Sequence, residues 1–471
     1  MSSVLKTASA IVAAFSLAFV SAIPASAGTS EVWKTTSKSD WVGIADVGQK
    51  VAVNGNVSAV AWVERTSIDT AYVDAKVRRN GTWGKVSRVF EVPWNWWAAF
   101  DVQITDSGSI YLSYSDSDVN LKVATNTSGS TWTTTTVDTS TSNLGAMQSA
   151  GSVSGNKVTF TANRYLTSES SNESVTVEAS TYSFDEANAE SGWDHKVVRT
   201  FTRANFSSCV VNKKAFYDSC NVRVSEPLLK TATDGSQVIF YVTSRESSRG
   251  DQAGLQFKVS KFHRPSLTAD WISGGDVYTM TLTNRDNGYA FFPVGLATTS
   301  TGKYAFAIIT GKLSDGKNMT RVFTGDSFAS VPAARDTAYL SSLKNHDNAA
   351  LGEFNGDFYM VVDDRTAHRF GKVGSFAATA KNLTAVTGDE VVKNLLVVGG
   401  KITAVVVKPR VSTSLMTLTK NSWSGKTKVM SVAGDFSPTP SAAATDGTSL
   451  LLAAPTYTTK FAKKVLTAYT N

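Results

Sequence analysis

Eight glycine-centred turns, each leading into a short apolar run, constrain this chain more than any other feature. Gly55 precedes the run Val57 to Val63, Gly108 precedes Ile110 to Tyr114, and Gly155 precedes Val158 to Ala162. Gly235 precedes Val238 to Val242, and Gly302 precedes Tyr304 to Ile309. Gly356, Gly400 and Gly447 lead into Phe358 to Val362, Ile402 to Val407 and Leu450 to Ala454. A unit recurring every few tens of residues signals a repeat architecture. The unit here is a β-hairpin, and long helical periods are absent. The expectation is an all-β chain folded as a single β-propeller. Eight blades are favoured; seven remains the alternative, because the eighth depends on the Gly447 hairpin.

The intervals between these glycines run from 44 to 80 residues. A four-stranded blade needs roughly 40–55 residues. The two longest intervals therefore carry insertions. One holds Thr167 to Ser174 and a cysteine loop; the other holds Ser244 to Gly254 and Asn284 to Gly288. A second marker follows later in seven units, an aromatic after a small or polar residue: Trp83, Trp132, Trp193, Trp271, Phe328, Phe376 and Trp423. These aromatics suit packing between blades. The last unit lacks one. Glu31-Val32-Trp33 or Asp40-Trp41 supplies it if the N-terminal strand pairs with the C-terminal blade, a closure that removes open sheet edges.

The chain opens with Lys6, an apolar stretch from Ala8 to Ala22, and Ala25-Ser26-Ala27. This is the pattern of a secretory signal. A short membrane anchor is the alternative, but the run falls below the ~20 residues a spanning helix needs. We expect a signal peptide over residues 1–27, a propeller over 28–471, and a secreted, extracellular or cell-surface location. No later stretch is apolar enough to span a bilayer. The formal charge of +7 is scattered and forms no block; it fits a solvated basic face or attraction to anionic envelope polymers, and gives no nucleic-acid footprint. Cys209 and Cys220 are the only cysteines. In an oxidising compartment they would form a disulfide worth on the order of 3 kcal/mol; two buried thiols are the alternative.

Thr125-Asn126-Thr127-Ser128-Gly129-Ser130-Thr131-Trp132 resembles a worn Asp-box, the Ser-x-Asp-x-Gly-x-Thr-Trp turn of sialidase-like propellers. Gly129, Thr131 and Trp132 match it, while Thr125 and Thr127 replace its Ser and Asp. Arg79-Asn80-Gly81-Thr82-Trp83 and Asn421-Ser422-Trp423-Ser424 keep only the turn and the Trp. The resemblance implies the fold, with the box between third and fourth strands, away from the ligand. It carries no catalysis. The early Arg-Ile-Pro of sialidases is missing, so no sialidase site transfers onto named residues.

Propeller ligands sit where blade-to-blade loops and second-to-third-strand loops meet. Trp94, Trp96 and Trp97 lie just before the strand Phe100 to Thr105. Strand side chains alternate, so the three indoles cannot all face inward. An exposed indole suits stacking on a sugar ring or a partner protein; the alternative is a cluster covering the core. Charges gather in three loops: Asp116 and Asp118; Arg245, Glu246, Arg249 and Asp251; Asp363, Asp364, Arg365 and His368. Of these, Arg245, Arg249, Asp251, Asp363 and Arg365 join the tryptophans as candidate ligand-binding residues. No catalytic residue is assigned. The four histidines lack metal-ligand spacing, and no nucleophile elbow or phosphate loop appears. No metal or cofactor is expected. The function expected is binding of a cell-surface or extracellular glycan, or of a protein partner. An exported glycoside hydrolase or polysaccharide lyase, and an envelope scaffold, are the alternatives.

Overall fold

The computed structural model describes residues 28–34, 43–66, 70–93, 100–115, 120–139, 150–167, 174–205, 220–224, 227–247, 256–281, 289–312, 317–343, 346, 348–364, 367–409, 411–419, 422–431, 442–458 and 463–471. They form eight antiparallel sheets. The first blade comprises Gly43–Asn54, Val57–Arg65, Thr70–Arg79 and Thr82–Pro93. The innermost strands of the next six blades are Phe100–Ile104, Gly151–Ser154, Leu228–Thr231, Tyr289–Thr298, Asn348–Phe354 and Val391–Val398. Each packs against the innermost strand of the next blade, and Ala442–Thr445 of the eighth packs against Gly43–Asn54 of the first. The ring is closed, and the count is eight.

Closure uses the N-terminal strand. Gly28–Lys34 pairs antiparallel with Lys463–Thr470, from Gly28 opposite Thr470 to Lys34 opposite Val465. It becomes the outer strand of the eighth blade, as expected. Val32 is buried there with Leu466 and with Trp62 of the first blade. The side chain of Trp33 and all of Trp41 lie outside the described residues.

The core is divided among the eight interfaces between blades. Second strands are sandwiched between two neighbours, so both faces are apolar. That explains unbroken runs such as Ala59 to Val63, all at most 1% exposed. The outermost strand Thr133–Asp138 is solvated, and its sequence turns to threonine. The seven marker aromatics pack between blades, as Trp132 does between the first and second and Phe376 between the fifth and sixth.

The eight turn glycines all have positive φ, between 53° and 91°, which residues with a Cβ rarely adopt. Several turns are tied to the turn of the next blade. Asn54 Nδ2 donates to Asp106 Oδ1 at 2.9 Å, Ser107 N to Asn156 Oδ1 at 2.9 Å, and Gly399 N to the Gly447 carbonyl at 2.9 Å. The worn box joins a third strand, Leu121–Asn126, to a fourth, Thr133–Asp138. Asn126 donates there to the carbonyls of Gly129 and Thr131 and accepts from Arg79 of the first blade.

The structure revises three loop boundaries. Arg245 and Glu246 were expected in a loop but extend the strand Gln237–Ser247. That strand pairs over its last residues with Cys220–Val224, an extra inner segment that the expected connection from Phe201 to Glu226 did not contain. Asp363 and His368 also belong to strands, Asp357–Asp364 and Ala367–Lys372. In each case pairing continues because partners are present on both sides. Cys209 lies outside the described residues, as does the side chain of Cys220, which leaves the disulfide an expectation.

Candidate functional site

First strands run toward the glycine turns and second strands return from them. The starts of first strands, ends of second strands and starts of third strands therefore share one face, opposite the turns. The loops expected there fall largely outside the described residues. They include Trp94, Trp96, Trp97, Asp116, Asp118, Arg249, Asp251 and Arg365. Arg245 is placed by its backbone alone, opposite Val222 and Gln256. Of the candidate ligand-binding residues, Asp363 is the one whose side chain is described.

Asp363 is not a solvated loop charge. It is 3% exposed, at the end of the second strand of the sixth blade. In the ladder it stands opposite Asn348 on one side and His368 on the other. Its Oδ1 lies 2.7 Å from His368 Nδ1. Its Oδ2 accepts from Asn348 Nδ2 and from the backbone N–H of Val392 in the seventh blade, both at 3.3 Å. Asn348 Nδ2 also donates to the Val392 carbonyl at 2.5 Å. One carboxylate thus joins two blades and holds an imidazole.

A carboxylate only accepts, so it fixes a proton on Nδ1 and, in the neutral ring, the Nδ1–H tautomer. Nε2 is then an acceptor, with no partner among the described residues. It can take a hydrogen bond, or a proton, from a ligand hydroxyl. The next residue after Val392 is Lys393. The ladder slips between Val392 and Asn394, which leaves Lys393 as the extra residue of a bulge. Bulges re-aim side chains. Burial lowers the Lys393 pKa, and attraction to Asp363 opposes that shift.

A second polar group lies across the ring. Asp101, on the first strand of the second blade, accepts from the Gly151 N–H of the third blade and from Gln103 Nε2 at 3.0 Å. Lys230 stands on the first strand of the fourth blade. It is exposed although its strand is an innermost one, so the solvent it meets is that of the channel. Desolvation by the channel walls around it lowers its pKa, with Asp101 acting in the opposite direction.

Other charged groups act as fasteners. Arg164 of the third blade pairs with Asp138 of the second, and Tyr182 O–H donates to the same carboxylate. Burial holds the Tyr182 phenol up at about 12, the opposite of what a nucleophilic tyrosine requires. Arg264 is fully buried; its Nε donates to Gln237 at 2.8 Å and its Nη2 to Ser183 at 2.7 Å. Gln237 and Ser183 each bond Thr159, closing a polar ring between the third and fourth blades. Among the described residues no cluster of His, Cys, Asp or Glu is suited to a metal ion, and no helix is long and apolar enough to cross a membrane.

Sequence reasoning overlooked Asn348, Asp101, Lys230 and Lys393. Their signal is a polar or charged residue within an otherwise apolar first strand, as in Leu228-Leu229-Lys230 and Val391-Val392-Lys393.

The sequence matches no family model and no curated protein. Solved structures do match. Polysaccharide lyase Uly1 is 11% identical, with 90% of this chain and 89% of that one covered and a TM-score of 0.49. The sialidase of Trypanosoma rangeli is 11% identical with a TM-score of 0.35. The match covers 72% of this chain and 55% of that one, so it spans about half of the sialidase's length. The Aleuria aurantia lectin is 12% identical over 74% of this chain and 96% of that one, with a TM-score of 0.34. These are likenesses of fold. The closed ring of eight four-stranded or five-stranded sheets makes this chain a β-propeller in architecture.

Proposed function

We propose that the protein is a secreted propeller that binds a cell-surface or extracellular glycan on the face opposite the glycine turns. The observation behind this reading is the polar centre at Asp363. A buried carboxylate orients His368 and Asn348 at the end of the channel, where sugar hydroxyls would find fixed donors and acceptors. Trp94, Trp96 and Trp97 belong to the loop expected on the same face, and supply stacking surfaces in this reading. Protein recognition by this face is the neighbouring possibility.

A glycan array probed with residues 28–471, alongside a pull-down from cell-surface fractions, tests the proposal. Capture of defined glycans, weakened in a Trp94, Trp96 and Trp97 triple alanine variant, supports it. An array without signal and one stable protein partner in the pull-down would replace it with a scaffold or protein-binding role.

One observation favours a second reading. Asp363 and His368 have the relation of a general base to the group that orients it. An exported hydrolase or lyase would use Nε2 to take a proton from water or from a sugar carbon. Release of reducing ends or unsaturated products from polysaccharides, abolished by His368→Ala, would establish it.

A further inference from the structure

Two acids and two lysines on or beside the first strands differ in how far their bonding capacity is met. Asp101 is met by a backbone N–H and a side-chain amide. Asp363 is met by a backbone N–H, an amide and an imidazole. Lys230 and Lys393 have neither an ion pair nor a hydrogen-bond acceptor among the described residues. The acids attract them, but spend their lone pairs elsewhere.

Lys393 is half-buried and Lys230 faces the solvent of the channel. An ammonium group between protein walls is hydrated less well than one on the open surface, and an incoming anion relieves that cost. Lys393 sits at the loop end of the channel. It follows the Val392 N–H that reaches Asp363, and the bulge takes it out of the ladder. Lys230 sits nearer the turn end, opposite Val238 and one residue from the pair Thr231 and Gln237. At about 3.3 Å per strand residue, the two lie on the order of 10 Å apart along the axis. That spacing suits successive charges on an extended chain better than one small ion.

We infer that the ligand is an acidic saccharide, whose carboxylates or sulfate esters are received by Lys393 at the channel mouth and Lys230 further in. This rests on the glycan-binding reading and narrows it. Asn348 and His368, beside Lys393, are left to take hydroxyls of the same sugar. Lys393 and Lys230 are then specificity determinants: they discriminate charged chains from neutral ones with the same backbone.

The test uses paired polymers: polygalacturonate against its methyl ester, and dextran sulfate against dextran. Binding of residues 28–471 is measured by calorimetry at two salt concentrations. One or both acidic forms should bind at least about tenfold more tightly than the neutral twin, with the advantage falling as salt rises. The pair that responds tells carboxylate from sulfate. Lys393→Met and Lys230→Met should each cost about tenfold against the acidic form and little against the neutral one. Lys393→Arg should retain most of the preference. Lys401→Met is the control, an exposed lysine at the turn end of the seventh blade that should change nothing. Thermal melting of each variant confirms that the ring is intact. Equal binding of acidic and neutral forms, or an acidic preference surviving in the Lys230 and Lys393 double variant, overturns the inference and leaves glycan binding standing. No binding to these polymers or to any arrayed glycan overturns both.

Discussion

The backbone N–H of Gly55 donates to Oδ2 of Asp446 at 2.8 Å. The two residues belong to the glycine turns of the first and last blades. The same carboxylate accepts through Oδ1 from the N–H groups of Thr448 and Ser449, at 2.8 and 2.7 Å. Further back along the strand that leads to Gly55, Gln49 Nε2 of the first blade donates to the Ala453 carbonyl of the eighth at 2.9 Å. The seam is therefore bonded at its turns and across its strands.

Asp446→Ala should leave three N–H groups without this acceptor. They are solvent-facing, so the expected loss is modest, about 1–2 kcal/mol in urea unfolding. Removing Gly28–Lys34 should cost far more, because it uncovers Val32's pocket and strips a whole strand. Equal melting of the two variants would show that the strand does not lock the ring.

Gly325 stands opposite Tyr304 in the fifth blade. A Cβ there would come 2.4 Å from Tyr304 Cε1, and Tyr304 is fully buried. Gly325→Ala should destabilise by about 2–4 kcal/mol. Gly425→Ala, where a Cβ meets nothing within 4 Å and φ is not positive, should be near neutral. Thermal denaturation of the pair separates steric conflict from a general glycine effect.

Lys261 is fully buried, with its Nζ donating to the Ser330 carbonyl and lying 5.2 Å from the centre of the Tyr304 ring. Burial lowers its pKa to about 8. Between pH 8 and an unfolded value of about 10.4, the unfolded chain holds a proton that the folded chain has released. Stability relative to Lys261→Met should therefore rise across that window, by on the order of 2–3 kcal/mol. A difference independent of pH from 7 to 10 would show that Lys261 keeps an ordinary pKa.

Asp363→Ala should strand the Val392 N–H, the Asn348 amide and the His368 Nδ1 proton. A loss of about 2–4 kcal/mol is expected in chemical denaturation. Asp363→Asn keeps one acceptor and should cost less. Nitrogen chemical shifts of His368 provide a second readout: the proton should rest on Nδ1 in the native protein and lose that preference in the alanine variant.

The fold was legible because its signals are local. A positive φ requires glycine or a close substitute, so Gly55 to Gly447 mark the hairpins in the sequence itself. Trp83 to Trp423 recur because seven of the eight interfaces between blades take in one large aromatic from this series. Even the closing strand could be read, from the missing aromatic of the last unit. The site was harder. Asp363 was singled out for its charged neighbours, but its role comes from Asn348 and Val392, which reach it only when two blades meet. Lys393 is aimed by a bulge, and no residue type announces a bulge. Lys230 looks like any strand lysine until its strand is known to face a channel.

The partnership of Gly28–Lys34 with Lys463–Thr470 also orders events in time. Gly28–Lys34 has no mate until Lys463–Thr470 has been made, so the sectors between them form beside an unsealed gap. A molecule that has not yet made this pairing presents two raw flanks, each able to join those of a sibling.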